Sequence, residues 1–95
     1  MTEENGQGVD AQNVTRLHHD AVLDARGLAC PLPVLKARKA LLGLLPGQRL
    51  LVEATDPMAR IDIPHFCAEA GHVLLAADQV DGLFRFLVER GKTAT

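Results

Sequence analysis

The spacing of apolar positions along the chain predicts four strands and two helices. Short alternating or continuous apolar runs are typical of strands, whereas apolar positions three and four residues apart are typical of helices. The strands are predicted at residues 21–24, 49–55, 72–77 and 83–89. The helices are predicted from Pro31 to about Leu44 and from Pro57 to Ala70.

Each predicted helix carries one apolar face. These faces are formed by Val34, Ala37, Leu41 and Leu45 in the first helix and by Ile63, Phe66, Cys67 and Ala70 in the second. Asp56 is expected to cap the second helix, with Pro57 at its first position, and Pro64 is expected to kink or restart it. In the last strand, Phe84, Phe86 and Val88 are expected to point to one side of the sheet.

The order of these elements predicts a single domain of α/β class. It reads strand, helix, strand, helix, strand, strand, without an internal repeat. Because the helices must bury their apolar faces against the sheet, the expected architecture is a two-layer sandwich over residues 20–91. Residues 1–19 are rich in polar and small residues and are predicted to form a disordered tail.

Composition and charge narrow the range of functions. The 95 residues carry a net charge of −2, and only 3% are aromatic. Nucleic-acid-binding proteins usually have a basic surface, and single-strand binders add stacking aromatics, so direct nucleic-acid binding is not expected. The acidic N-terminus does not resemble a signal peptide, and no apolar run suits a membrane span. A cytoplasmic location follows, with Cys30 and Cys67 as free thiols.

No metal or cofactor site is expected from the sequence. The two cysteines lack the paired spacing of a zinc site. His18 and His19 are adjacent, and neighbouring residues seldom converge on one ion, so the pair is interpreted as solvated. Cys67 lies on the apolar face of the second helix and is interpreted as a core residue.

Cys30 is the candidate reactive residue because of the prolines that follow it. Pro31 disfavours the helical region for Cys30, which places Cys30 at the N-cap of the first helix. Pro31 and Pro33 then lie in the first turn, where their missing N–H groups cost nothing. The Leu32 N–H is left for the cap side chain. The positive end of the helix dipole is expected to lower the pKa of the Cys30 thiol.

The residues alone leave the chemistry of Cys30 open. A Cys-x-x-Cys pair is absent, which disfavours a thioredoxin-like dithiol. A thiol redox sensor could form a sulfenic acid on Cys30 that Cys67 resolves. A non-catalytic interaction module would not need the thiol at all. No acid–base partner of Cys30 is evident in the sequence.

Three segments in order resemble the TusA/SirA-like sulfur carriers. The first is residues 23–33, LDARGLACPLP, followed by Lys36. The second is residues 56–57 with 62–67, and the third is residues 82–88. This resemblance covers nearly all of the predicted domain and leaves the N-terminal tail outside it.

The resemblance implies both a fold and a function. The implied fold is that of the C-terminal domain of translation initiation factor three, a four-stranded mixed sheet with two helices on one face. The implied function is that of a sulfurtransferase-type carrier that holds sulfane sulfur on Cys30 as a persulfide. A cysteine desulfurase or a rhodanese-type protein would supply the sulfur, and a further sulfur-relay protein would accept it. Implied uses are tRNA thiolation, molybdenum-cofactor synthesis and sulfur oxidation.

Other positions are carried over from the resemblance as supporting residues. Asp24 and Arg26 precede Cys30, and Arg26 would stabilise the persulfide anion or meet an acidic partner. Lys36 would belong to a docking patch on the first helix. Asp62 is assigned a structural role as a cap or hydrogen-bond acceptor. The protein is expected to be a monomer that forms transient complexes.

Overall fold

The computed structural model describes residues 17–92 and contains the predicted elements in the predicted order. The strands are β1 (Ala21–Ala25), β2 (Arg49–Ala54), β3 (Val73–Val80) and β4 (Leu83–Glu89). The helices are α1 (Leu32–Leu42) and α2 (Ala59–Ala70). Of the predicted tail at 1–19, residues 1–16 lie outside the described residues.

The four strands form one mixed sheet in the order β1-β2-β4-β3. β1 and β2 are parallel neighbours, whereas β4 is antiparallel to both β2 and β3. The parallel pair needs a crossover connection, which α1 provides. Both helices contribute to a single apolar cluster on one face of the sheet. The predicted α/β two-layer sandwich with a mixed sheet is therefore confirmed.

The core follows from strand alternation and from the two helix faces. Leu50, Val52 and Ala54 of β2 point to the helices, as do Phe84, Phe86 and Val88 of β4. They meet Ala37 and Leu41 from α1, and Ile63, Phe66 and Cys67 from α2. Successive strand residues point to opposite faces, so Leu51 and Leu87 form a smaller apolar cluster on the other side.

The first helix ends earlier than predicted. α1 stops at Leu42, and Leu45, which was expected on its apolar face, is 69% exposed. Gly43 takes the C-cap position, where its N–H donates to the Ala40 carbonyl. Glycine is a weak helix former, and this explains why the helix ends before Leu44.

The second helix begins later than predicted and is not interrupted. Asp56 and Pro57 form a turn before Ala59, in which the Asp56 side chain accepts the Met58 N–H at 3.2 Å. The prediction that Asp56 is the N-cap of α2, with Pro57 at its first position, is therefore wrong, because Met58 takes the N-cap position. The helix continues through Pro64, so the predicted restart is wrong. Proline has no N–H, so Pro64 cannot donate to the Arg60 carbonyl one turn earlier.

Within residues 17–92, neither helix is long and apolar enough to cross a membrane.

Candidate functional site

The loops that follow β1 and β2 meet at one edge of the sheet, because these two strands run parallel. The β1–α1 loop begins with a turn in which Gly27 has φ +79°, a left-handed conformation that favours glycine. The Gly27 N–H donates to Thr55 Oγ1 at 2.8 Å, which ties this loop to the β2–α2 loop. Cys30 stands at the end of the first loop and is exposed.

Two carboxylates from the second loop and from α2 bind Cys30. The Cys30 N–H donates to Asp56 Oδ2 at 2.6 Å. The Cys30 thiol donates from Sγ to Asp62 Oδ2 at 3.0 Å. Asp62 lies in the first turn of α2, where negative charge is favoured by the helix dipole. The backbone and the sulfur of Cys30 are thus each held by a separate carboxylate.

The predicted role of Cys30 as the N-cap of the first helix is wrong. α1 begins at Leu32, its N-cap is Pro31, and no side chain caps it. The Leu32 N–H, expected to be free for the thiol, donates to the Ala29 carbonyl at 2.9 Å. The Cys30–Pro31 peptide bond is cis. Pro33 is buried in the first helical turn, where it was predicted.

The expected lowering of the Cys30 pKa is also wrong. The hydrogen bond to the Asp62 carboxylate, followed by partial desolvation and by the charges of Asp62 and Asp56, raises the pKa of the Cys30 thiol above its usual value. A carboxylate that accepts a hydrogen bond from the thiol favours the protonated form of the thiol. Asp62 does accept a hydrogen bond, as predicted, but its donor is the candidate reactive atom. Cys30 therefore has a carboxylate as hydrogen-bond partner that the sequence did not reveal.

A cavity of about 240 Å³ opens beside the Cys30 sulfur, between α1 and α2. It is lined by Cys30, Pro31, Val34, Arg38, Asp62, His65, Phe66 and Glu69. No role was predicted from the sequence for Arg38, His65 and Glu69, although helical spacing contained a signal for Arg38 and Glu69. Arg38 lies seven positions after Pro31, and Glu69 seven after Asp62, so each pair shares a helix face.

The cavity wall carries both signs of charge. The Arg38 guanidinium lies over the Phe66 ring, with 5.2 Å between its carbon and the ring centroid. Such stacking holds the cation at an apolar surface. On the same side of α2, His65 Nε2 lies 3.3 Å from Glu69 Oε2. The entrance to Cys30 is therefore polar as well as apolar.

The predicted supporting residues Asp24, Arg26 and Lys36 do not line this cavity. Arg26 instead binds both oxygens of Asp24, at 2.9 Å from Nε and 3.0 Å from Nη2. These hydrogen bonds, together with one from the Arg26 backbone, lower the pKa of Asp24 to about 2. Lys36 lies on α1 and is exposed. The structure brings Pro31, but not these three residues, to the cavity beside Cys30.

Cys67 lies in a different environment from Cys30. It is 2% exposed within the main apolar cluster, and both cysteines are free. Burial raises the pKa of the Cys67 thiol to about 11. This agrees with its interpretation as a core residue.

Within residues 17–92, no three His, Cys, Asp or Glu side chains converge as a metal site. His18, one of the adjacent histidines, lies with Nε2 2.9 Å from Asp20 Oδ1.

The amino-acid sequence of this chain matches a family model and is similar to the sequences of individual proteins. The family model for sulfurtransferase TusA matches residues 21–90. A protein of Neisseria meningitidis serogroup A is 49% identical over 67 residues, which are 70% of this chain and 90% of its own. The sulfur carrier protein TusA of Pseudomonas entomophila is 44% identical over 77 residues, covering 81% of this chain and 96% of the relative.

A solved structure shows the same fold. The SirA-like protein from Desulfitobacterium hafniense aligns with a TM-score of 0.68 at 26% identity, covering 76% of this chain and 99% of that chain. The matched family segment contains both loops and both helices that surround Cys30. The chain belongs to the TusA sulfurtransferase family.

Proposed function

We propose that this protein is a sulfur carrier that accepts sulfane sulfur on Cys30 as a persulfide and passes it to an acceptor protein. The observation that carries this proposal is the exposed Cys30 thiol, fixed by Asp56 and Asp62 at the mouth of a cavity. A thiol must be accessible to exchange sulfur with a second protein. Cys67, the other cysteine, is buried and does not meet this requirement.

The proposed cycle has two exchanges and needs no external oxidant or reductant. In uptake, the Cys30 thiolate attacks the terminal sulfur of a protonated donor persulfide, and the donor thiolate leaves. In delivery, an acceptor thiolate attacks the terminal sulfur on Cys30, and the Cys30 thiolate leaves. Both steps resemble thiol–disulfide exchange, in which rate depends on the attacking thiolate, the leaving thiol and access.

The proposed partners follow from membership of the family. The donor is a cysteine desulfurase or a rhodanese-type protein, and the acceptor is a further sulfur-relay protein. The use of the sulfur is tRNA thiolation, molybdenum-cofactor synthesis or sulfur oxidation, in the cytoplasm. The carrier acts as a monomer, and the exposed Lys36 with neighbouring Lys39 forms a basic patch for an acidic partner.

Intact mass spectrometry tests this proposal directly. Reduced protein is incubated with a cysteine desulfurase and L-cysteine, and in parallel with a rhodanese and thiosulfate. Wild type and Cys67→Ser should gain one sulfur that a thiol reductant removes, whereas Cys30→Ser should gain none. Circular dichroism of the three proteins controls for folding.

Failure of both donor systems to load Cys30 would overturn the carrier proposal. Peroxide titration of the same three proteins would then test the thiol redox sensor. Unchanged partner binding by Cys30→Ser, without any loading of the wild type, would indicate an interaction module.

A further inference from the structure

The contact between Cys30 and Asp62 is unexpected in a protein that uses a thiolate. A nucleophilic cysteine usually lies beside a cation or a helix N-terminus, which favours the thiolate. Here Sγ instead donates to a carboxylate at 3.0 Å, and a second carboxylate binds the backbone of the same residue. A carrier has a second task, however, because the sulfur it carries must later be attacked.

We propose that Asp62 holds a proton on the sulfur that Cys30 carries, so that the protein delivers it as a neutral, electrophilic persulfide. This inference rests on the proposed carrier function. It assigns Asp62 to the delivery half of the cycle, as a catalytic residue that touches the reacting sulfur.

The chemistry of persulfides explains why such a proton is needed. A persulfide is a stronger acid than the corresponding thiol, so without assistance it is largely an anion at neutral pH. The negative terminal sulfur repels an incoming thiolate. With a proton bound, the acceptor thiolate forms the new S–S bond, the Cys30–sulfur bond breaks, and the proton leaves with the transferred sulfur. Cys30 departs as a thiolate and takes a proton from water.

The geometry at Cys30 permits this arrangement. A persulfide adds one sulfur about 2 Å beyond Sγ. Cys30 and Asp62 both line the cavity of about 240 Å³, so the added sulfur has room beside the carboxylate. Asp56 accepts a hydrogen bond from the Cys30 backbone N–H, which helps to keep the residue in place. The S–H that now points to Asp62 Oδ2 would be replaced by the S–S–H of the loaded protein.

The charged groups around the sulfur come from both helices and from the β2–α2 loop. Asp62, His65 and Glu69 line the cavity from α2, and Arg38 lines it from α1. Asp56 faces Cys30 from the loop. Among these groups, Asp62 alone has a polar contact with Sγ in the part of the chain that the structure describes. The pKa of the unloaded Cys30 thiol is raised mainly by this contact.

Asp62→Asn tests the inference, because it removes the charge and nearly preserves the shape. Two rates are measured over a range of pH. The first is alkylation of the unloaded Cys30 thiol by iodoacetamide. The second is delivery of sulfur to reduced glutathione from protein loaded chemically with sodium polysulfide and freed of excess reagent. Glu89→Gln provides a control, since it neutralises a carboxylate at the opposite edge of the sheet.

The two rates should change in opposite directions. In Asp62→Asn at neutral pH, alkylation should be severalfold faster because more thiolate forms, and delivery severalfold slower because less persulfide is protonated. The slower delivery should recover as the pH is lowered. Asp62→Glu keeps a carboxylate, so its alkylation and delivery rates should stand in the same relation to each other as in the wild type. Glu89→Gln should change neither rate.

Delivery that is equal or faster in Asp62→Asn would overturn the inference and leave the carrier function intact. A parallel decrease in both rates would also overturn it, since a general disturbance of the loop affects both. Failure of polysulfide to load Cys30 at all would overturn the carrier function together with this inference.

Discussion

The two cysteines show how the surroundings of a thiol determine its use. Cys30 is exposed at the meeting of two loops and binds a carboxylate, whereas Cys67 is buried among apolar side chains. The pKa of each thiol is raised, but by different means: mainly a hydrogen bond to Asp62 at Cys30, and burial at Cys67. An accessible thiol with a polar partner can be activated by its surroundings, whereas a buried one serves packing.

Alkylation should give the largest difference between the two cysteines. In folded protein at pH 8, iodoacetamide should modify Cys30 at least tenfold faster than Cys67, since Cys67 is inaccessible and has the pKa of about 11. The alkylation rate at Cys30 should continue to rise as the pH is increased beyond the pKa of an ordinary thiol. Mass spectrometry of peptides from timed samples measures both rates. Comparable rates in folded protein would contradict the contrast, and denaturant should make the rates similar.

Substitution of Cys67 should affect the stability of the fold more than substitution of Cys30. Cys67→Ser should lower the free energy of unfolding by about 1–3 kcal/mol, since it buries a hydroxyl in an apolar cluster. Cys30→Ser should leave stability nearly unchanged, since its side chain is exposed and the hydroxyl can still donate to Asp62. Urea unfolding followed by circular dichroism measures both. A larger loss for Cys30→Ser than for Cys67→Ser would contradict the assigned roles.

Loss of Asp56 should loosen the loop that presents Cys30. Asp56→Ala removes two hydrogen bonds to backbone N–H groups, those of Cys30 and Met58, and should destabilise the protein by about 1–2 kcal/mol. Amide hydrogen exchange at Cys30 should accelerate in the same variant. Unchanged exchange at this amide would show that Asp56 does not position the loop.

The smallest expected effect concerns the exposed Asp24–Arg26 pair. The pKa of Asp24 in the folded protein, about 2, is below its unfolded value. The pair therefore stabilises the protein above about pH 4, and this contribution is lost as the pH falls from about 4 to about 2. Acid unfolding of wild type and Asp24→Asn should differ slightly above this range and converge below it. A large difference in Cys30 alkylation between these proteins would instead tie the pair to the thiol.

Much of the fold could be predicted because its signals are local. The alternation of Phe84, Phe86 and Val88 marks one face of β4, and the helical spacing of Ile63, Phe66 and Cys67 marks the buried face of α2. The errors in the predicted helix boundaries also had local causes. Gly43 ends α1 before Leu45, and the turn at Asp56 delays α2 to Ala59.

The candidate site was only partly predictable because its contacts are distant in sequence. Cys30 could be identified from the prolines that follow it, but Asp62 lies 32 positions away and meets it only when β1 and β2 pair in parallel. The position of Cys30 near a helix N-terminus, taken alone, predicts a lowered thiol pKa. The carboxylate that reverses this direction comes from the other helix.

Peptide mapping of the loaded wild-type protein tests the central claim most directly. Protein loaded by a cysteine desulfurase with L-cysteine is alkylated under conditions that retain the persulfide, digested, and analysed by mass spectrometry. The added sulfur is expected on the peptide that contains Cys30, and none is expected on the peptide that contains Cys67. Sulfur on the Cys67 peptide, or on neither, would contradict the role of Cys30 as the sulfur-carrying residue.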